Sequence, residues 1–339
     1  MSANDQRILP PGKVPGDVLG PLLAKFTRPD PSIVVGPGIG RDAAALRTSG
    51  NLIVVKTDPI TFPTVDAGRY LININANDIA CMGATPRWLL VTALLPEGKT
   101  TPALVESLFS SLTTAADELG ILLVGGHSEI TQGVDRPLLI GQIIGEATDD
   151  DLLDIGNAQD GDLVVLIGGI AVEGTAILAT QAAGALAGID ADLFTRAGRF
   201  LTTPGISVVP AARALQASGA MVRGMHDPTE GGLATALPEL SAATGLGLEV
   251  DLDAIPIYPE TQAICDALGL DPLGLISSGA LLAVVAPDRR DSWLHAVQEA
   301  GFIISVVGRL TASHTRVETT TGTALPVFAV DELARYFSL

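Results

Sequence analysis

Runs of apolar residues alternate along this chain with polar stretches, and their internal spacing separates strands from helices. Short runs rich in Val, Ile and Leu predict buried strands, and apolar positions recurring every three or four residues predict helices. The predicted strands cover residues 52–57, 88–95, 138–145, 163–167, 280–285 and 302–307. The predicted helices cover residues 16–26, 66–82, 102–119, 173–187, 207–218, 232–244, 259–268 and 290–300. Strands interleaved with helices indicate an α+β or α/β fold.

A polar, Asp-rich stretch at residues 148–162 interrupts this pattern, which then begins again. We take this stretch as a domain boundary and expect one domain over residues 1–150 and a second over 151–339, because a chain of 339 residues predicts about two domains. Local signals are clear for one helix, where Thr101 is expected to act as N-cap and Gly120 follows the last turn.

Composition narrows the possible partners. The formal net charge of −18 and the absence of a basic cluster argue against nucleic acid, which needs patches of Lys and Arg. The two cysteines, Cys81 and Cys265, form no metal or redox motif, and such low cysteine use fits a reducing compartment. The first residues carry no apolar run of the kind found in signal peptides, and no apolar stretch is long enough to span a bilayer. We therefore expect a cytoplasmic protein with no membrane partner.

A glycine-rich segment precedes the first predicted strand, with Gly38 and Gly40 followed by Asp42. Glycines allow a backbone to approach a phosphate closely, and a neighbouring Asp can hold Mg²⁺. The segment matches neither the P-loop nor the dinucleotide fingerprint, because no Gly-Lys-Ser/Thr follows and Arg41 stands where the second pattern needs glycine. A flexible turn is the alternative explanation.

Two further acidic motifs come next along the chain. Asp58 precedes Pro59 and is expected to end the first strand, either as a metal ligand or as a turn former. Residues 73–84 then predict an unusual helix, in which Asn77 and Asp78 lie among Ile, Ala and Met. Because Asn and Asp are poor helix formers and costly to bury, partners such as a metal or phosphate are indicated. A polar face exposed to water is the alternative.

The pair Gly125-Gly126 follows an apolar run and is read as a loop that leads to His127. The glycines permit close backbone approach, and the histidine can bind a metal or carry a proton. A loop histidine with an ordinary hydrogen-bond partner explains the motif equally well.

The second half holds two candidate loops. In the first, Asp227 is expected to act as N-cap of a helix whose first residue is Pro228 and whose third is Glu230. That capping role can be its whole function, although a helix N-terminus is also an anion site. In the second loop, Gly169 and Glu173 follow a strand and predict another anion site before a helix.

Taken in order, these motifs resemble the aminoimidazole ribonucleotide synthase superfamily over nearly the whole chain. The resemblance rests on residues 42–44, 57–58, 77–86, 125–128, 173–174, 227–232 and 271–273. It implies a two-domain PurM-like fold in which the N-terminal domains of two protomers pair into a shared β-barrel, with ATP bound at the interface. It also implies Mg²⁺ held by acidic residues, namely Asp42, Asp58, Asp78 and Asp227. The expected nucleotide-binding residues are Gly38, Gly40, Asn77, Gly125, Gly126, His127, Gly169 and Glu173.

Within this superfamily the motifs look most similar to the hydrogenase maturation carbamoyl dehydratase, which acts on its own C-terminal cysteine. This chain ends in Ser338-Leu339, so that reaction is not expected as such. Selenophosphate synthesis is not expected either, because no cysteine precedes Lys13, a residue that we assign to the γ-phosphate.

The resulting hypothesis is a homodimeric, Mg²⁺-dependent enzyme that hydrolyses ATP. Asp42, Asp78, Asp227 and Lys13 would carry catalysis, and an unidentified small-molecule or protein acceptor would offer an amide or similar oxygen for phosphorylation. Two alternatives remain open: a nucleotide-binding scaffold without turnover in a maturation complex, and a small-molecule kinase similar to thiamine-phosphate kinase.

Overall fold

The computed structural model describes residues 20–21, 30–36, 38, 43–48, 50, 52–61 and 66–338. The first half is built on a six-stranded sheet with the strand order β1-β2-β3-β6-β4-β5. Its strands are β1 (Ile33–Val35), β2 (Ala44–Arg47), β3 (Leu52–Ile60), β4 (Thr85–Pro96), β5 (Leu122–Thr131) and β6 (Leu138–Ala147). Neighbouring strands are antiparallel except for β4 and β5, which run parallel.

Two helices, α1 (Ala67–Cys81) and α2 (Pro102–Leu119), pack together on one face of this sheet. Both match their predictions closely, because local signals define their ends. Thr101 accepts a hydrogen bond from the Leu104 amide at 3.2 Å, and Gly120 ends α2 in the left-handed conformation. Gly83, with φ of +77°, ends α1 in the same way, as the sequence predicted.

Two predictions in the first sheet were wrong. Strand β3 does not end before Asp58 but continues to Ile60, in register with β6 from Leu52 opposite Ala147 to Ile60 opposite Leu139. The segment around Gly125 is not a loop that follows a strand. It lies inside β5, where the register with β4 shifts between Leu89 and Leu90 and forms a bulge.

The second half contains a second six-stranded sheet with the order β12-β9-β11-β7-β10-β8. Its strands are β7 (Leu163–Ile167), β8 (Val222–His226), β9 (Gly247–Val250), β10 (Leu281–Val285), β11 (Ile304–Thr311) and β12 (Val317–Thr319). Its helices are α3 (Val172–Gln181), α4 (Ala191–Ala197), α5 (Val209–Ala217), α6 (Gly232–Thr244), α7 (Pro259–Leu268), α8 (Arg290–Glu299) and α9 (Glu332–Phe337). The central strands β7 and β10 are buried throughout, because helices cover both faces of this sheet.

The helix predicted at residues 232–244 is confirmed as α6, but the capping role predicted for Asp227 is wrong. Helix α6 starts at Gly232, after Gly231 in the left-handed conformation, so Asp227 is not its N-cap. The residues between Asp227 and Gly231 form a loop instead. The helix predicted at residues 173–187 is too long, because α3 ends at Gln181 and a separate 3₁₀ turn follows it. The helix predicted at residues 16–26 lies mostly outside the described residues.

One continuous apolar core joins the two halves. It extends from the first sheet through α1 to α5 and the inner strands of the second sheet. The two sheets are therefore packed against each other through α1 rather than joined only by the chain. Within the part of the chain that the structure describes, no helix is both long and apolar enough to cross a membrane.

Candidate nucleotide and cation site

Two of the predicted acidic residues converge on one lysine. The ammonium group of Lys56 lies 3.1 Å from Oδ2 of Asp58 and 2.9 Å from Oδ2 of Asp78. Lys56 and Asp58 are two residues apart on β3, so their side chains leave the same face of the sheet. Helix α1 crosses that face and contributes Asp78, whose side chain is only 8% exposed. The cluster thus joins motifs that are well separated in sequence.

Asn75 holds the backbone of Asp58 in place. Its side-chain oxygen accepts the Asp58 amide at 2.8 Å, and its side-chain nitrogen donates to the Asp58 carbonyl at 3.3 Å and to the Leu71 carbonyl at 2.9 Å. The Asn75 side chain is fully buried, which makes each of these bonds costly to lose. Asn75 therefore links α1 to β3 at the acidic cluster, a role that the sequence did not predict.

Asn77 lies on a different face of α1, which contacts the second half of the molecule. Its amide nitrogen donates to the Ile206 carbonyl at 2.9 Å, and its oxygen accepts the Val208 amide at 2.8 Å, just before α5. Asn73 donates to the Arg69 carbonyl at 2.9 Å. Both asparagines are nearly or fully buried, so their partners are protein backbone groups rather than water. The geometry gives Asn77 a role at the domain interface, and its phosphate contact stays a prediction.

Asp227 contacts the end of α1 from the second half. It follows β8, and its Oδ1 lies 3.9 Å from Sγ of Cys81 in the last turn of α1, three residues after Asp78. The last turn of α1 carries no basic residue, so the partial negative charge of the helix end adds to these carboxylates. The region where Asp78 and Asp227 lie is therefore suited to cations.

The loop after Asp227 is held by the carboxyl-terminal segment. Asp331, 7% exposed, accepts the Gly231 amide at 2.6 Å through one oxygen and caps α9 by accepting the Leu333 amide through the other. Glu332 accepts the Asp271 amide at 3.0 Å in the same region. The segment beyond the second sheet, to which the sequence assigned no role, thus packs on this loop.

Glu173 is a buried acid close to Asp227. Its two carboxylate oxygens are inaccessible to solvent and make no hydrogen bond of standard geometry, although Ser278 lies near enough to favour the charged form. Burial raises the pKa of Glu173 to about 7, and the charges of Asp331 and Asp227 add to that effect while Ser278 opposes it. The pKa of Tyr70 in α1 is raised mainly by burial and next by Glu173. Glu173 therefore faces protein groups from both halves.

The predicted anion loop before α3 has partners within the protein. A Cβ atom on Gly169 would lie 2.5 Å from the ring of Tyr258, and the Gly169 backbone also hydrogen-bonds that side chain. At the start of α3 the Ala171 amide donates to Ser277 Oγ at 2.7 Å, and the Gly174 amide donates to the Ile276 carbonyl at 3.2 Å. These amides therefore bond protein groups, and the phosphate site at Gly169 and Glu173 stays a prediction.

The residues around His127 lie far from the acidic cluster within one chain. Strand β5 forms the opposite edge of the sheet from β1, and two strands separate it from β3. His127 is 67% exposed, with Nε2 3.4 Å from Glu129. Gly126 is required by packing, since its φ is +146° and a Cβ atom there would lie 1.9 Å from the Val91 carbonyl oxygen. Gly125 has no such neighbour among the described residues.

Three of the predicted site residues, Lys13, Gly40 and Asp42, lie outside the described residues, while Gly38 is described and partly exposed. In the described part, no three His, Cys, Asp or Glu side chains lie close enough together to hold a metal ion. The pair Asp58 and Asp78 is a partial oxygen set of the kind that Mg²⁺ completes with waters and substrate phosphates.

A cleft of about 740 Å³ lies at the other end of α1. It is lined from both halves of the chain, with Asp66 and Tyr70 on α1, Arg136 before β6, and Gln181 at the end of α3. Asp66 precedes Asp78 by twelve residues, which in a helix corresponds to about 18 Å. The cleft is therefore separate from the acidic cluster.

The fold and the cluster define a class of protein: two-domain chains with two mixed sheets, in which a central helix brings one carboxylate to a strand of the first sheet and contacts an Asp of the second domain at its end. Family models agree with this assignment. The model of the AIR synthase related protein, N-terminal domain, matches residues 40–147, and that of the C-terminal domain matches residues 159–319. The chain belongs to the AIR synthase related protein family.

Two curated relatives extend over most of the chain. A putative hydrogenase expression/formation protein of Methanocaldococcus jannaschii is 31% identical over 294 residues, which cover 83% of this chain and 83% of the relative. The carbamoyl dehydratase HypE of Rhizobium leguminosarum bv. viciae is 31% identical over 276 residues, which cover 76% of this chain and 73% of the relative.

Solved structures show the same fold. Escherichia coli HypE superposes with a TM-score of 0.72 at 23% identity, over 91% of this chain and 95% of that one. A HypE structure in complex with ATP gives a TM-score of 0.65 at 23% identity, over 93% of this chain and 92% of that one. The thiamine monophosphate kinase of Aquifex aeolicus gives a TM-score of 0.67 at 17% identity, over 84% of this chain and 93% of that one.

Proposed function

We propose that this chain is a Mg²⁺-dependent enzyme that binds and hydrolyses ATP and transfers the γ-phosphoryl group to an acceptor oxygen. The observation that carries the proposal is the convergence of Asp58 and Asp78 on one cationic group at the end of α1, with Asp227 nearby. Two relatives support it by fold: a HypE that was crystallised with ATP and a kinase. An amide or similar oxygen is the proposed acceptor, since curated relatives are carbamoyl dehydratases.

The donor groups fit magnesium. Carboxylate oxygens are the ligands that Mg²⁺ prefers, and Asp58 and Asp78 supply them near the negative end of α1, with Asp42 and Asp227 as the further predicted ligands. When bound, Mg²⁺ would neutralise charge on the phosphates. The chain's own contribution is to hold these groups in place: Asn75 fixes the backbone of Asp58, and α1 buries Asp78. Such preorganised charge is a large part of phosphoryl-transfer catalysis.

The test is the Asp78→Asn variant, assayed for ADP release from MgATP. Phosphoryl transfer should be lost, because the amide cannot replace a negatively charged ligand. Asp117→Asn, which removes a carboxylate from the exposed face of α2, is the control and should keep wild-type turnover. Full turnover in Asp78→Asn would refute the assignment. Tight ATP binding by the wild-type chain with no ADP release would favour the alternative of a nucleotide-binding scaffold.

We also propose that two copies pair through β5. This edge strand exposes consecutive large apolar side chains, with Leu122 62%, Leu123 38% and Val124 56% exposed. Long apolar edge strands of this kind pair with another chain. The family resemblance implies ATP bound at such an interface, so pairing is expected to matter for turnover as well as for assembly.

Val124→Lys tests this pairing by light scattering on a sizing column. The variant should run as a monomer and lose ADP release, and a wild-type chain that is monomeric at assay concentration would refute the dimer. Because Val124 does not belong to the acidic cluster, a monomeric variant that keeps full turnover would show that one chain suffices for the site.

A further inference from the structure

Lys56 is a basic group that the structure places between two candidate metal ligands, and neither the motifs nor the family resemblance assigned it a role. Its ammonium group contacts both Asp58 and Asp78 within 3.1 Å, and its side chain is 21% exposed. The lysine is therefore partly accessible to solvent.

The ammonium group of Lys56 also occupies the place that a cation bridging Asp58 and Asp78 would take. Both carboxylates direct Oδ2 to the same point, and this point is occupied by the lysine ammonium. A divalent ion that binds the two carboxylates must therefore displace the ammonium, because like charges repel at such short range. The flexible four-carbon stem of lysine allows the ammonium to move while its backbone remains in β3.

We propose that Lys56 is a phosphate-binding residue whose ammonium group pairs with Asp58 and Asp78 until a divalent cation and the nucleotide together release it. This inference rests on the proposed function and deepens it. An ammonium group is a point-charge donor for phosphate oxygens. Once the cation has taken the two carboxylates, the ammonium of Lys56 lies at the same edge of the site and can direct its N–H donors to the incoming phosphates.

The exchange has two consequences of opposite sign. Removing the ammonium eliminates a competitor of the cation, so Lys56→Gln should bind Mg²⁺ alone more tightly than the wild-type chain. The same change removes a phosphate donor, so it should bind MgADP more weakly. If Lys56 only neutralised the carboxylates for folding, its loss would not weaken nucleotide binding, because Mg²⁺ would have taken its place.

Isothermal titration calorimetry of the full chain measures both quantities, first with MgCl₂ alone and then with ADP at saturating Mg²⁺. We expect Lys56→Gln to raise the Mg²⁺ affinity about tenfold and to lower the ADP affinity about tenfold, the change that one interaction of about 1.4 kcal/mol produces. Lys99→Gln is the matched control, because Lys99 donates to the Asp135 carbonyl on the exposed surface and its loss changes the net charge equally.

A measurement on the wild-type chain covers the case in which Lys56→Gln does not fold. Acetylation of Lys56 by acetic anhydride, quantified by mass spectrometry relative to Lys99, should increase when Mg²⁺ is added and decrease when ADP follows. Labelling that does not respond to Mg²⁺, or ADP affinity that is unchanged in Lys56→Gln, would overturn the inference while leaving the proposed function standing. A wild-type chain that binds no MgADP would refute the proposed function itself, and this inference with it.

Discussion

The buried carboxyl group of Glu173 should make the stability of the fold depend on pH, and replacing it with Gln tests this. Glu173 is fully buried, and its pKa is raised from 4.5 to about 7, first by burial and then by the charges of Asp331 and Asp227. The folded chain therefore holds this proton to a higher pH than the unfolded chain does. The stability that the proton contributes is complete below pH 4.5 and is lost as the pH rises through 7.

The size of the effect follows from the two pKa values. One pKa unit corresponds to about 1.4 kcal/mol, so a shift from 4.5 to about 7 lowers the free energy of unfolding by about 3 kcal/mol at pH 8. About 2.5 kcal/mol of this loss falls between pH 5 and pH 8. Glu173→Gln keeps the size of the side chain and has no charge to bury. The advantage of the variant over the wild-type chain should therefore increase by that amount between the two pH values.

Urea unfolding followed by intrinsic fluorescence, in EDTA to exclude bound cations, measures this difference. The comparison uses the change in the free energy of unfolding between pH 5 and pH 8. Any destabilisation by the amide that is the same at both pH values therefore cancels. Glu118→Gln is the control, because Glu118 is paired with Arg69 near the surface and its pKa is lowered, which places its titration below this range. If the difference between Glu173→Gln and the wild-type chain is the same at both pH values, Glu173 does not carry the raised pKa and the description of its surroundings is wrong.

The helices of the first domain were predictable because their ends depend on neighbouring residues. Thr101 and Gly120 define α2 through short-range hydrogen bonds and backbone conformation, and Gly83 does the same for α1. No distant part of the chain is needed to read these signals. The same reasoning failed after Asp227, where a capping pattern is present but the loop is held by Asp331, a hundred residues away from Gly231.

Strand ends were less predictable, because they depend on pairing with distant segments. Pro59 was expected to stop β3, since proline cannot donate a hydrogen bond in a sheet. Strand β2, however, pairs only with the first part of β3, from Leu52 to Val55, so Pro59 has a described strand partner on one side only. The pairing with β6 continues past Pro59 to Ile60 and keeps this proline within the strand. Gly125 was likewise read as part of a loop, because nothing nearby in sequence shows that β4 lies beside it.

The acidic motifs could be found from the sequence, but the side chains that organise them could not. Asp58 and Asp78 were identified by their type and order, and the structure brings them to one point. The spacing of Lys56 and Asp58 in the sequence already places them on one face of a strand. The contact of Lys56 with Asp78 could not be predicted, because it depends on how α1 crosses the sheet. Asn75 differs from Asn77 only in the direction it faces on α1, which periodicity alone does not assign.

Two further predictions concern these packing contacts. Asn77→Ala should lower the free energy of unfolding by about 3 kcal/mol, because the buried Val208 amide and the Ile206 carbonyl both lose their side-chain partner, and thermal unfolding measures it. Gly126→Ala should cost about 3 kcal/mol or more, because its φ of +146° is strained for alanine and the new Cβ would lie 1.9 Å from the Val91 carbonyl oxygen. Gly125→Ala is the matched control, since a Cβ atom there would meet no described atom within 4 Å and its φ is not in the left-handed range. Equal melting temperatures for the two glycine variants would mean that the bulge in β5 does not bring β4 as close as the structure shows.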